Sequence, residues 1–253
     1  MNKIALITGA TSGIGKATAT QLVEQNYDLI ITGRRKERLE SFASEITNKF
    51  NCKLISLNFD IRNKTEVDAA IDGLPDEWKD IDVLVNNAGL AAGAEPIQDG
   101  LVDDWERMID TNIKGLLYIS KKVMPLMIAR KKGHIVNIGS VAGKQVYANG
   151  NVYCGTKHAV DAITQGMRVD LLHHGIRVTQ IAPGAVETEF SIVRFHGAKD
   201  KADKVYEGYT PLFADDIANA VVFAVTRPPH VNINDMLIMP TAQASPYYLD
   251  RKA

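Results

Sequence analysis

Residues 3–15 leave this chain few folds to choose from. Lys3-Ile-Ala-Leu-Ile-Thr8 is a short, nearly continuous apolar run, the pattern of a strand buried on both faces. It runs into Gly9-Ala-Thr-Ser-Gly13-Ile-Gly15 and then into a helical stretch over 16–25. Strand, glycine turn and helix in that order set backbone amides and a positive helix end beside a phosphate. Glycine permits the tight turn and lets a pyrophosphate approach the main chain. Phosphate binding is the expectation; a merely structural turn is the alternative.

A second apolar run, 28–32, ends in Gly33-Arg34-Arg35. Dinucleotide folds read the adenosine ribose about 20 positions past the glycine loop, and a carboxylate there suits NAD. Two arginines suit a 2′-phosphate through fork-like, charge-assisted hydrogen bonds, which points to NADP. The alternative is a solvated turn opening the next helix.

Strands and helices keep alternating. Helix 36–50 leads to strand 53–58, closed by Asp60 at the expected adenine end. Helix 63–73 is stopped by Gly73 and Pro75, and strand 81–85 is followed by Asn86-Asn87-Ala88-Gly89. A long helix over 103–129 carries Asn112 in its middle, and strand 134–139 ends at Gly139-Ser140. A helix starting near Tyr153 precedes strand 176–182, which ends at Pro183-Gly184, and a last strand covers 232–239. This predicts an α/β Rossmann fold: a doubly wound parallel sheet with helices on both faces. No Pro/Ser-rich linker or repeat divides the 253 residues, so one domain is expected. Ligands of such sheets gather beyond the carboxyl ends of the strands, where Gly9, Arg34, Asp60, Asn86, Ser140 and Pro183 all fall.

Tyr153 and Lys157 stand one helical turn apart and share a face. A phenol titrates near ~10, and a nearby cation moves it toward the working range for acid-base chemistry. Such a pair also occurs by chance in many helices, so its weight comes from its neighbours.

Composition removes other classes. Formal net charge is −1 with both signs interspersed, which leaves no nucleic-acid surface or polybasic membrane patch. Cys52 and Cys154 offer neither a disulfide framework nor metal-ligand spacing, and the six histidines are scattered. His134 and His173 are expected to be structural. No apolar run approaches the ~20 residues of a membrane span. A cytoplasmic protein with a small-molecule partner and no metal is expected.

Together, Thr8-Gly9-x-x-x-Gly13-x-Gly15, Asn86-Asn87-Ala88-Gly89, Asn112, Ser140, Tyr153-x-x-x-Lys157 and Pro183-Gly184 resemble the short-chain dehydrogenase/reductase family over essentially the full length. Further stretches resemble its NADP-dependent 3-hydroxy acid dehydrogenases acting on serine and allo-threonine. They are Thr32-Gly33-Arg34-Arg35, Leu74-Pro75-x-x-Trp78, Asn149-Gly150-Asn151-Val152-Tyr153, Glu189-Phe190-Ser191-x-Val193-Arg194-Phe195 and His230-Val231-Asn232-Ile233-Asn234.

The resemblance implies Tyr153 as acid in reduction and base in oxidation, with Ser140 donating to the reacting oxygen. Lys157 would lower the Tyr153 pKa and hold the nicotinamide ribose, and Asn112 would hold a water linking Lys157 to solvent. NADP(H) would rest on Gly9, Thr11, Ser12, Gly13, Ile14, Gly15, Arg34, Arg35, Asp60, Ile61, Asn87, Gly89, Tyr153, Lys157, Pro183, Gly184, Val186 and Thr188, the last holding the carboxamide. Arg194 is the candidate partner of a substrate carboxylate, on a polar segment 188–210 that resembles a mobile lid, and Tyr147 lies nearby. A surface ion pair is the alternative for Arg194, and an aromatic wall for Tyr147. The family implies a homotetramer. Competing functions are a sulfoacetaldehyde reductase, a 3-oxoacyl carrier-protein reductase, whose glycine-rich ending is missing after residue 239, and a non-catalytic NADP sensor.

Overall fold

A computed structural model describes residues 2–252. Its frame is a seven-stranded parallel sheet in the order β3-β2-β1-β4-β5-β6-β9. In chain order the first half runs β1 (Lys3–Ile7), α1 (Gly13–Glu24), β2 (Tyr27–Gly33), α2 (Lys36–Lys49), β3 (Leu54–Asn58), α3 (Lys64–Asp72) and β4 (Ile81–Asn86). It continues with α4 (Val102–Ile109), α5 (Leu116–Arg130), β5 (Gly133–Ile138), α6 (Asn151–Asp170) and β6 (Ile176–Pro183). Then come β7 (Val186–Glu187), α7 (Phe190–Arg194), α8 (Lys199–Asp203), β8 (Leu212–Phe213), α9 (Ala214–Val225) and β9 (Asp235–Ile238). Among the described residues no helix is long and apolar enough to cross a membrane.

The strand period of two explains why β1 is apolar from Ile4 to Ile7. Ile4 and Leu6 enter the core that α3, α5 and α6 cover, beside Ile30, Leu84, Ile119 and Val123. Ala5 and Ile7 enter the opposite core with Leu22, Leu29, Ile31 and Val221, under α1 and α9. Each fully buried aliphatic side chain contributes about 1.5–3 kcal/mol, so a polar residue anywhere along β1 costs one core or the other. The strand order reverses between β1 and β4, the switch point where such sheets hold their ligands.

The structure corrects three expected elements. The first helix begins at Gly13, inside the glycine turn, and ends before Asn26, which takes a left-handed φ of 61°. The helix expected over 103–129 is interrupted by a turn of π-helix at Asp110–Gly115, centred on Asn112. Single π turns inside α-helices are frequent at functional sites. The last strand is only Asp235–Ile238, because side chains pair the residues before it. Asn232 Oδ1 accepts from Val178 N (3.1 Å) while Asn232 Nδ2 donates to Val178 O (3.2 Å), standing in for the ladder.

Candidate active site

A cleft of ≈ 390 Å³ lies across the carboxyl ends of β1, β2, β4, β5 and β6. It is lined by the glycine loop, by Arg34 and Arg35, by Ile61, Asn87 and Gly89, by Ser140, Tyr153 and Lys157, and by Pro183, Gly184, Val186 and Thr188. Five expected residues stand behind or beside this lining: Gly15, Asp60, Asn112, Tyr147 and Arg194.

The floor of the cleft is the glycine loop, with Gly9 at φ 68° and Gly13 at φ 52°. Asn87 Nδ2 donates to the carbonyls of Thr8 (2.9 Å) and Gly9 (3.1 Å). The Thr8 hydroxyl accepts from the amides of Asn87 and Ala88, both at 3.0 Å, and donates to Val85 O. Gly15 is the packing glycine: a Cβ there would overlap Asn87 Nδ2 and Gly9 O. The first turn of α1 carries no acid, so its positive end faces the cleft uncompensated. This lining fits a pyrophosphate.

At the adenosine end Arg35 donates to Thr11 Oγ1 (2.9 Å), Ser12 Oγ (2.8 Å) and Glu189 (2.8 Å). Arg38 reaches the same Glu189 carboxylate at 2.7 Å. Arg35 first, then Arg38, hold the Glu189 carboxyl below its ordinary range. Arg34 Nη1 lies 3.7 Å from Asp60. The Asp60 carboxylate is engaged by Arg62 at 2.6 Å, and its neighbours Phe59 and Ile61 line the cleft. Burial works to raise the Asp60 pKa, yet Arg62 and Arg34 outweigh it and the carboxyl titrates low.

At the other end α6 carries Tyr153 and Lys157 into the cleft, both buried. Lys157 Nζ donates to Ile138 O at 2.9 Å and lies 6.0 Å from the centre of the Tyr153 ring. Burial pushes the Lys157 ammonium down to about 8. Burial, and then Tyr147, push the Tyr153 phenol well above its ordinary value, while a hydrogen bond with Ser140 and the charge of Arg194 pull it back. Ser140 and Arg194 are the groups that pull the phenol down here, while the Lys157 ammonium donates to a main-chain carbonyl. Ser140 Oγ also accepts from Ala142 N (3.0 Å), which fixes its rotamer.

Asn112 is buried in the π turn. Its Nδ2 donates to Leu90 O (2.8 Å) and Thr156 Oγ1 (3.0 Å), and its Oδ1 accepts from Leu90 N (2.9 Å). Both amide protons are engaged by protein. The residue ties the Asn86–Gly89 loop to the helix that carries Tyr153 and Lys157.

Arg194, at the end of α7, donates to the Tyr147 hydroxyl at 3.0 Å and lies 5.9 Å from the centre of the Tyr153 ring. Gly93 secures it twice, its amide donating to Arg194 O (3.0 Å) and its carbonyl accepting from Nε (3.3 Å). Tyr153 also meets Phe190 with ring centres 5.7 Å apart. His134 lies in β5, bonded to Thr179 Oγ1 at 2.7 Å and away from the cleft.

Several contributors carry no local signal in the sequence. Asn86 Nδ2 donates to Ser120 and to Asn137, which donates to Thr164, a buried chain bracing β4, β5, α5 and α6. Gln243 Oε1 accepts from Ala185 N (2.9 Å), so the tail supports the Pro183-Gly184 turn. Glu189 and Phe190 line the cleft from the segment after β7. The sequence marked them within the 189–195 stretch without assigning them a place in the cleft.

A parallel sheet with a glycine loop at its switch point, and a buried tyrosine, serine and lysine beside it, defines an oxidoreductase of CH–OH groups. The short chain dehydrogenase family matches residues 3–198, and the chain belongs to that family. It is 48% identical over 242 residues to the NADP-dependent 3-hydroxy acid dehydrogenase of Salmonella typhi, covering 95% of this chain and 96% of that one. It is 45% identical over 244 residues to the serine 3-dehydrogenase of Agrobacterium fabrum, covering 96% of each. A solved structure titled as the closed form of serine dehydrogenase complexed with NADP+ is 44% identical, superposes with a TM-score of 0.92, and covers 99% of this chain and 100% of its own.

Proposed function

We propose that the protein transfers hydride between NADP(H) and a short 3-hydroxy acid or its aldehyde or keto acid, of the serine, allo-threonine or 3-hydroxypropionate type. The observation that carries the substrate class is Arg194, a cation joined to Tyr147 and set beside the Tyr153 ring. An α- or β-placed carboxylate needs such a partner, and the names of the relatives point the same way. Arg34 and Arg35 take the 2′-phosphate, whose oxyanions match guanidinium forks. The relatives named for NADP support that choice.

Nicotinamide, when bound, supplies the hydride chemistry, and the protein orients and manages protons. Tyr153 gives its proton to the carbonyl oxygen in reduction, leaving the phenolate, and in oxidation the phenolate takes the proton of the hydroxyl. Ser140 donates to the same oxygen and stabilises the charge building there. Lys157, titrating at about 8, holds the ribose and exchanges protons near neutral pH. Asn112 keeps the loop and helix in register. Segment 188–210 acts as a lid over the substrate, within one catalytic domain. Exposed Ile109, Leu117 and Val169 on the helices around Asn112 and Tyr153 fit a homotetramer working in the cytoplasm.

The test is absorbance of reduced nicotinamide with NADP+ or NAD+ against serine, allo-threonine, 3-hydroxypropionate and isethionate. Turnover with NADP+ and a carboxylate is expected. Turnover with isethionate alone would move the substrate to the sulfonates, which arginine also binds. Silence throughout would overturn the substrate class.

A further inference from the structure

Glu189 is an anion held where the cofactor brings another. Its carboxylate takes the Nη1 edge of Arg35 at 2.8 Å and Arg38 Nη1 at 2.7 Å, while the Nη2 edge of Arg35 is turned to the Thr11 and Ser12 hydroxyls. Each nitrogen of the Arg35 guanidinium thus already has a partner at the cleft that Glu189 itself lines. A 2′-phosphate seated on Arg34 and Arg35 needs some of those donors, and two anions on one guanidinium repel each other. The neutral 2′-hydroxyl of NAD creates no such conflict. Glu189 also immediately precedes α7, whose last residue is Arg194. One five-residue helix therefore has its amino end clamped to the adenosine-end arginines and its carboxyl end beside the substrate-end tyrosines.

We propose that Glu189 is an internal competitor of the 2′-phosphate for Arg35, lowering affinity for NADP(H) selectively and coupling the adenosine end of the cleft to the start of α7. This rests on the assignment of Arg34 and Arg35 to the 2′-phosphate. Functionally, Glu189 favours exchange of the cofactor over retention, and it narrows the preference for NADP over NAD that the arginines create.

Calorimetric titration of NADP+ and NAD+ into the wild type, Glu189→Gln and Arg35→Ala proteins tests the idea without turnover. Glu189→Gln is expected to tighten NADP+ by about two- to fivefold, the range of a half-exposed ion pair, and to leave NAD+ unchanged. Arg35→Ala is expected to weaken NADP+ far more than NAD+. Unchanged or weaker NADP+ binding by Glu189→Gln, with Arg35→Ala still selective, overturns the competitor role alone. Equal losses of both dinucleotides in Arg35→Ala overturn the 2′-phosphate assignment beneath it.

Discussion

The guanidinium of Arg194 donates to the Tyr147 hydroxyl at 3.0 Å, and the two side chains close one side of the space in front of Tyr153. Arg194→Ala removes a charge-assisted bond to a substrate anion, worth about 1.5–3 kcal/mol. KM for a carboxylate substrate is therefore expected to rise by roughly ten- to a hundredfold, with an uncharged aldehyde spared. Steady-state kinetics on one substrate of each kind decides it. An unchanged KM for the acid would take Arg194 out of the substrate site.

Tyr153→Phe keeps the ring against Phe190 and deletes only the hydroxyl that meets Ser140. Loss of a positioned proton donor is expected to lower kcat by about 10²–10⁴. Dinucleotide affinity, measured by calorimetry, should stay close to wild type. Retention of most of the rate would reassign the acid.

Gly15→Ala forces a methyl group into Asn87 Nδ2 and the Gly9 carbonyl. Neither can retreat, because Asn87 is bonded to Thr8 and Gly9 and supports the loop. The variant is expected to lose about 1–3 kcal/mol of stability and to bind dinucleotide poorly. Urea midpoints and a binding titration report both, and wild-type values in both would show that the loop yields.

His134 supplies a pH prediction. Burial, and then Arg177, push its imidazole down to about 3, from an ordinary value near 6.5. The unfolded chain therefore takes up a proton that the folded one refuses, and stability falls as pH drops from about 6.5 toward 3. At pH 5 this amounts to about 2 kcal/mol. His134→Leu should show a smaller loss between pH 7 and pH 5 than wild type, whatever its stability at pH 7. Equal losses in the two proteins would mean that His134 does not carry the effect.

How much could be read in advance depends on how local each cause is. The glycine loop was legible because left-handed φ at Gly9 and Gly13 and the close approach at Gly15 demand glycine itself. Tyr153 and Lys157 were legible because four residues of helix bring two side chains to one face whatever surrounds them. The place of Asn112 was not legible, since its side chain pairs with Leu90, 22 residues away. Asp60 was read correctly as lying at a strand end, but Arg62, two residues on, decides where its carboxylate points.

The sequence by itself determined the strand and helix order, the single parallel sheet, the crevice at its carboxyl edge and the family. These follow from short-range periodicity and from residues whose backbone or chemistry admits few substitutes. Only the tertiary structure decided how charge is distributed within that crevice. It turned Lys157 to Ile138, set Arg194 against Tyr147 and Tyr153, and laid Glu189 across Arg35 and Arg38. Those pairings join residues from 19 to 154 positions apart. Burial and distance fix their strength and direction, and neither quantity exists until the chain has folded.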